Sequence, residues 1–277
     1  NMVDELTNLN NMIGMKNIKN AVFNKIVLTL QGLNNKNLDY NHIVLYGSPG
    51  MGKTHVAKLI GAIYSKMGFL SVGNFEQAKL TDLKAGYLGQ TEIKTQKLLD
   101  KCKGSILFID EAYSIGAEDK IDSFSQGIID IINPYLDKHK DDFVLIIAGY
   151  KDDLNNRFFR GNQGLKSRFG LWLEIDKYTG SDLFKIFKMK VGEYEWSIDE
   201  NISDDFFNKH IDVFPYFGRD IENFFSKCKI EHAKRVLFLK EEDKKKLNTY
   251  DMEKGLELFI NDGSINKEEE ENLAMLH

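Results

Sequence analysis

The chain has 277 residues, 42% of them hydrophobic and 29% charged, which suits one globular unit with a sizeable core or a large domain plus a smaller one. Its 37 basic and 42 acidic side chains give a formal net charge of -5, so nothing at whole-chain level marks a polyanion such as DNA as the main partner. Cys102 and Cys228, far apart and without a ligand-spaced histidine, suggest neither a disulfide framework nor a zinc site and fit a reducing compartment, cytoplasmic or otherwise intracellular.

No apolar run approaches the roughly 20 residues that span a bilayer, so no membrane association is expected. The first ten residues lack the basic start and apolar stretch of a signal peptide. The numbering opens on Asn1 rather than Met, which leaves room for an upstream segment and limits any statement on targeting.

In chain order, five short apolar runs read as buried strands: His42-Ile43-Val44-Leu45-Tyr46, Phe69-Leu70-Ser71-Val72, Ile106-Leu107-Phe108-Ile109, Phe143-Val144-Leu145-Ile146-Ile147 and Leu171-Trp172-Leu173-Glu174-Ile175. Between them lie stretches of helical spacing, such as Val56, Leu59, Ile60 and Ile63, or Ile128, Ile129, Ile131, Ile132 and Leu136. Strand alternating with helix predicts a parallel sheet covered on both faces. Pro134 should kink or restart its helix, because it lacks the N–H for an internal bond. Beyond Ile175 only helical periods remain, with helices expected at 181–191, 204–210, 218–239, 250–260 and 266–276. The expected division is therefore an α/β domain over 1–177 and a helical domain over 178–277.

Gly47-Ser48-Pro49-Gly50-Met51-Gly52-Lys53-Thr54 fits G-x-x-x-x-G-K-T and lies between the first strand and a helix. In such a loop backbone N–H groups turn inward around phosphates, and the helix N-terminus adds positive partial charge. Lys53 would reach the terminal phosphates and the Thr54 hydroxyl would ligate Mg²⁺. The run Ile106 to Ile109 ends in Asp110-Glu111, so Asp110 is a candidate Mg²⁺ ligand through water and Glu111 a candidate for orienting the attacking water. Without the glycine loop, that acidic pair would read as an ordinary solvated strand end.

Together these residues resemble AAA+ ATPases. Phe108-Ile109-Asp110-Glu111-Ala112-Tyr113, followed by Ile147-Ala148-Gly149-Tyr150, is similar to the red-type Rubisco activase and stage V sporulation protein K-like branch, which includes ATPases of type VII secretion. The resemblance runs from about Leu9 to about Arg235. It implies a P-loop NTPase fold with a parallel five-stranded sheet of order 5-1-4-3-2 and a C-terminal helical lid. It also implies ATP and Mg²⁺ as cofactors, and a homo-oligomeric ring, six-membered in the family.

The resemblance carries site roles as well. Ser48, Pro49, Gly50, Met51, Gly52, Lys53, Thr54 and His55 would surround the nucleotide, and Ile13-Gly14 would form the adenine pocket, although a helix-start turn is an equal reading of those two. Tyr150 falls where relatives carry a polar sensor of the γ-phosphate. Arg168, in Leu165-Lys166-Ser167-Arg168-Phe169, matches the arginine that enters the neighbouring subunit's site, with Arg160 and Arg157 as nearby alternatives and a surface salt bridge as the plain one. Gln163 stands where that branch usually has proline. Arg219 matches the lid arginine, and an ordinary helix start is its alternative. Tyr87-Leu88-Gly89 resembles the aromatic loop of the ring's channel, where an aromatic grips an extended peptide by area. Without the family, core packing is the better reading of Tyr87. Lys84 and the loop 114–123 are further candidates for facing the same channel, although nothing in their composition shows it.

The resulting expectation is an ATP hydrolase whose ring threads or remodels a protein client. Two other classes stand beside it: a nucleic-acid motor or loader, disfavoured by the acidic balance, and a nucleotide-gated assembly switch with little turnover. The client is not legible in the sequence.

Overall fold

The central strand β1 (His42–Tyr46) is buried from His42 to Leu45 and pairs in parallel with β4 (Val144–Gly149) on one side and β5 (Phe169–Glu174) on the other. With β3 (Ile106–Ile109) and β2 (Phe75–Ala78) the sheet order is β2-β3-β4-β1-β5, the predicted 5-1-4-3-2 read from the other edge. The computed structural model describes residues 2–35, 39–87, 89–116, 123–160, 162–237 and 244–262. These fall into two compact units, one of residues 1–48 and 52–176 and one of residues 49–51 and 177 onward.

Helices α1 (Val3–Asn11), α2 (Lys16–Leu30), α3 (Lys53–Lys66), α4 (Leu80–Leu83), α5 (Gln90–Lys101) and α6 (Ser123–Lys138) belong to the first unit. Side chains alternate across a strand, so each buried strand needs cover on both faces. On one face Leu107, Ile109, Leu145 and Ile147 pack with Ile128, Ile129, Ile132 and Leu136 of α6. On the other, Gly61 of α3 lies against Ile106 and Phe75.

Two local expectations are corrected. Phe69-Leu70-Ser71-Val72 is not the second strand; that position belongs to Phe75–Ala78. Phe69 and Leu70 are buried because Phe69 packs on Tyr64 with centroids 5.2 Å apart. Ser71 instead turns to Asp142, which accepts from its N–H at 2.7 Å, and Val72 is exposed. The true β2 is an edge strand, half-exposed through Glu76 and Gln77, so its sequence is not an apolar run. The restart expected at Pro134 does not occur, since α6 runs continuously from Ser123 to Lys138. Pro134 and Asp130, whose carbonyl loses its partner, both face solvent, where water can satisfy that carbonyl.

The first unit continues through a short turn of helix α7 (Lys151–Asp153), a π turn (Leu154–Phe158) and α8 (Gln163–Lys166) into β5. The second unit holds α9 (Gly180–Glu193), α10 (Asp205–Lys209), α11 (Gly218–Arg235) and α12 (Thr249–Asn261). Capping boxes start α9, through Thr179 and Asp182, and α12, through Asn248 and Asp251. Phe187, Phe207, Phe214, Phe224 and Phe259 form its buried aromatic core. A two-stranded parallel ladder, β6 (Ser197–Ile198) with β7 (Lys246–Leu247), was not expected from sequence; two-residue strands carry no periodicity to read. The helix expected at 266–276, and the end of the one expected at 218–239, lie outside the described residues. Among the described residues no helix is long and apolar enough to cross a membrane. Cys102 and Cys228 are both buried and free.

His42 opens the central strand fully buried, and its Nδ1 accepts from the Leu145 N–H at 3.1 Å. Burial pushes its pKa down to about 4, with Arg168 lowering it further while Leu136 and Asp137 pull the other way. An imidazole kept neutral in the fold but free to protonate when unfolded lends stability that is intact above the unfolded value of 6.5 and is lost as pH falls toward 4. From pH 7 to pH 5 that loss is about 2 kcal/mol. Thermal melting should therefore drop more steeply between these pH values for the wild type than for His42→Gln, and equal drops would contradict the assignment.

Candidate functional site

In an open parallel sheet, loops leaving the carboxyl ends of neighbouring strands part where the chain changes direction, and a crevice opens there. Here β1 and β3 flank β4, with Tyr46 level with Gly149 and Ile109 level with Ile147. The glycine loop after β1, the acidic pair after β3 and Tyr150 after β4 thus meet at one edge.

Thr54, in the first turn of α3, donates from Oγ1 to Asp110 Oδ2 at 3.1 Å, which brings together two elements 56 residues apart. Lys53 Nζ donates to the carbonyls of Gly47 and Ser48, each at 2.9 Å, and stands 5.9 Å from the centre of the Tyr150 ring. Glu111 is exposed and adopts a left-handed φ of 50°, uncommon for a residue with a side chain, as it caps the 3₁₀ turn Ala112–Ile115. Its N–H donates to Asp110 Oδ1 at 3.0 Å, and its carbonyl accepts from the Ser114 N–H at 2.8 Å.

These donors suit Mg²⁺ and phosphate. A hydroxyl and a carboxylate in mutual reach are hard oxygen ligands, and Mg²⁺ typically takes one or two protein oxygens and completes its shell with phosphate and water. Among the described residues no group of three or more His, Cys, Asp or Glu could hold a metal alone. Thr54 and Asp110 would hold Mg²⁺, with Lys53 on the phosphates.

The remaining expected residues are placed as follows. Ile13 and Gly14 lie half-buried in the turn between α1 and α2, and Lys19 holds that turn by donating to Asn10 O and Met12 O at 2.8 and 2.6 Å. Sequence reading missed Met15: it is 2% exposed, has a φ of 59°, and its Cε lies against Gly52 of the loop. Its position beside Ile13-Gly14 was the only signal. His55 is exposed on α3. In the helical unit, Gly50 has φ +72°, and a Cβ there would stand 2.0 Å from Tyr216 O and 3.4 Å from Arg219 Cβ, so only glycine fits. Pro49 and Met51 group with the same unit, and Tyr178 OH donates to Met51 O at 3.3 Å. Arg219, exposed at the start of α11, follows Phe217, which holds a φ of 46°. Tyr87 is 74% exposed, which excludes the core-packing alternative, while Leu88 lies outside the described residues. Gly89 is the N-cap of α5, Lys84 Nζ sits 5.0 Å over the Phe124 ring, and residues 117–122 of the neighbouring loop lie outside the described residues.

The three candidate trans arginines differ. Arg157 pairs with Asp153 at 3.5 Å, and Arg160 is exposed just after the π turn. Arg168, by contrast, donates from Nη2 to Asp137 Oδ2 and from Nη1 to Gly164 O, and its side chain is only 17% exposed. Tyr40 OH donates to the other oxygen of Asp137. The Arg168 hydrogen bond, seconded by that of Tyr40, holds the Asp137 carboxyl below the usual range. Asp137 and Tyr40 were invisible to motif reading, because nothing in sequence links positions 31 and 128 residues from Arg168.

Residues 43–170 match the family model described as "ATPase family associated with various cellular activities (AAA)". The chain is similar to a putative cfxQ-like protein of Acanthamoeba polyphaga mimivirus, 39% identical over 273 residues, which is 97% of this chain and 66% of that protein. Stage V sporulation protein K of Bacillus subtilis is 37% identical over 159 residues, 57% of this chain and 49% of that one. The chloroplastic ribulose bisphosphate carboxylase/oxygenase activase of Cyanidioschyzon merolae is 29% identical over 237 residues, 81% of this chain and 80% of that one. The chain thus spans 66% and 49% of the first two relatives' lengths. Among solved structures, the RuvB Holliday junction branch migration motor of Thermotoga maritima matches with a TM-score of 0.63 at 21% identity, over 89% of this chain and 70% of that one. At that identity the likeness concerns the fold alone.

The clamp on Arg168 makes a stability prediction. Arg168→Ala and Asp137→Ala should each lower the melting temperature, and the double variant should fall short of their sum by a coupling of about 1 kcal/mol. Strictly additive losses would show that the pair does not interact in solution.

Proposed function

Since the chain belongs to the AAA ATPase family and carries its ATP-hydrolase domain, we propose that it cleaves ATP at the crevice over β4 and that a ring of its copies uses the cycle to remodel a protein client. The observation that carries the reading is the Thr54–Asp110 contact beside Lys53, which gathers phosphate-binding and metal-binding groups from separate loops at one point.

In this reading Lys53 leaves the carbonyls of Gly47 and Ser48 for the β- and γ-phosphates. Thr54 and Asp110 would hold Mg²⁺, which would supply neutralisation of the phosphate charge. Glu111, exposed at the strand end, accepts a proton from the attacking water and aligns it with the γ-phosphorus. Its left-handed backbone is held by the hydrogen bond from the Ser114 N–H to its carbonyl. Ile13 and Gly14 serve the adenine, Tyr150 the γ-phosphate side, and Arg219 reports from the helical unit. For Arg168 to act on a neighbouring subunit, its guanidinium must first exchange Asp137 for the developing charge at that site.

The client side rests on Tyr87. At 74% exposure on the loop before α5, it offers apolar area to an extended peptide, and truncating it opens no cavity. The relatives' names include a carboxylase activase, which favours a protein client over nucleic acid.

Glu111→Gln should bind ATP with near-normal affinity yet turn it over about a hundredfold more slowly, whereas Lys53→Ala should lose ATP binding. Steady-state phosphate release alongside fluorescent-nucleotide titration checks both, and wild-type turnover in the Gln variant would sink the assignment of Glu111.

A further inference from the structure

From the phosphate lysine toward the π turn, four side chains line up as cation, aromatic, aromatic, cation. Lys53 Nζ lies 5.9 Å from the Tyr150 ring centre, the Tyr150 and Tyr113 centroids are 5.9 Å apart, and the Arg157 guanidinium carbon is 5.8 Å from the Tyr113 ring centre. These separations fall within the ranges at which such groups attract, about 4.5–7 Å between rings and about 6 Å for a cation over a ring.

Tyr113 is the member built into the scaffold. It sits in the 3₁₀ turn that begins at Glu111, between Ala112 and Ile115, both fully buried. Its ring lies on the end of β4, where a Cβ on Gly149 would be 2.8 Å from Tyr113 Cδ1, so glycine is what admits it. The end of the same turn meets the π turn, because Gly116 lies against the Arg157 carbonyl. Burial, and next the carboxylate of Glu111, push the Tyr113 hydroxyl's pKa up, so the ring adds no negative charge beside the phosphate site. A π turn within a helical segment is itself a feature found often at functional sites.

We propose that Tyr113 is a positioning residue for phosphoryl transfer: it sets the Tyr150 ring beside Lys53 and fixes the turn that carries Glu111, with Arg157 closing the stack from the π turn. This rests on the hydrolysis reading above. When Lys53 moves to phosphate, the cation at the inner end of the stack shifts. The ring of Tyr113 then holds Tyr150 in register, and without it Tyr150 and Glu111 lose alignment while nucleotide still binds.

The test measures kcat, KM, ATP dissociation constant and melting temperature for the full chain as wild type, Tyr113→Phe, Tyr113→Leu, Tyr150→Leu and the double Leu variant, with Glu111→Gln as control. Tyr113→Phe, which keeps the ring, should retain kcat within about threefold. Tyr113→Leu and Tyr150→Leu should each lower kcat about tenfold or more, with KM and ATP affinity within about threefold, and the double variant should be no slower than the slower single one. Wild-type kcat in Tyr113→Leu, losses that multiply in the double variant, or a Phe variant as slow as the Leu variant would each overturn the proposal. If Tyr113→Leu melts too low to assay, Tyr113→Met replaces it: a kcat loss of about tenfold at unchanged ATP affinity supports the stack, and wild-type kcat overturns it. A wild-type turnover that Glu111→Gln leaves unchanged overturns the hydrolysis reading and this one with it, whereas Glu111-dependent turnover with an unaffected Tyr113→Leu overturns the stack alone.

Discussion

The hydrogen bond from Thr54 to Asp110 depends on a parallel sheet in which β4 is inserted between β1 and β3. All strands run the same way, so their carboxyl ends share one edge, and the loops after β1 and β3 are forced to approach each other across the end of β4. The geometry of the site follows from that placement. Lys53 is aimed by the helix that starts at the loop, Glu111 by the strand it terminates, and Tyr150 by the strand between them. Burial secures the arrangement: β1, β3 and β4 are almost wholly inaccessible, so a slip of one residue would turn apolar side chains to the wrong face.

Strain is concentrated beside the same machinery. Among the described residues, Met15, Glu111, Glu195 and Phe217 are the non-glycine residues with a left-handed φ. Three of the four adjoin groups assigned to nucleotide: Met15 follows Ile13-Gly14, Glu111 follows Asp110 beyond β3, and Phe217 precedes Gly218-Arg219. Such conformations cost on the order of 1–3 kcal/mol each and persist where the surroundings over-determine them. Met15 is pinned by burial, Glu111 by its two backbone bonds, and Phe217 by packing and by its N–H bond to Phe214 O at 3.0 Å.

The sheet order followed from the resemblance to AAA+ ATPases, while four of the five strands and the helical character of the second unit were legible because buried parallel strands are continuous apolar runs and the glycine loop has a fixed pattern. The second strand was not, because an edge strand with Glu76 and Gln77 shows no such run, while Phe69-Leu70 is apolar for a different reason, packing on Tyr64. Lys53, Thr54, Asp110 and Glu111 were found by motif, and the structure brings them to one edge. The partners that shape their neighbourhood were not found: Met15, Tyr113, Asp137 and Tyr40 act through contacts between positions distant in sequence, which no local pattern encodes. Arg168 shows the limit most clearly. Its motif names a possible reach into a neighbour, but its side chain is committed to Asp137 within the same unit.

We propose that the strand-end crevice binds ATP through Mg²⁺ held by Thr54 and Asp110. Calorimetric titration of ATP into the chain with Mg²⁺ and with EDTA measures it most directly, on the wild type and on Asp110→Ala. Wild-type affinity should be about tenfold or more tighter with Mg²⁺ than without, and Asp110→Ala should bind ATP with little dependence on the metal. Wild-type binding indifferent to Mg²⁺, or an Asp110→Ala variant with the full metal dependence, would contradict it.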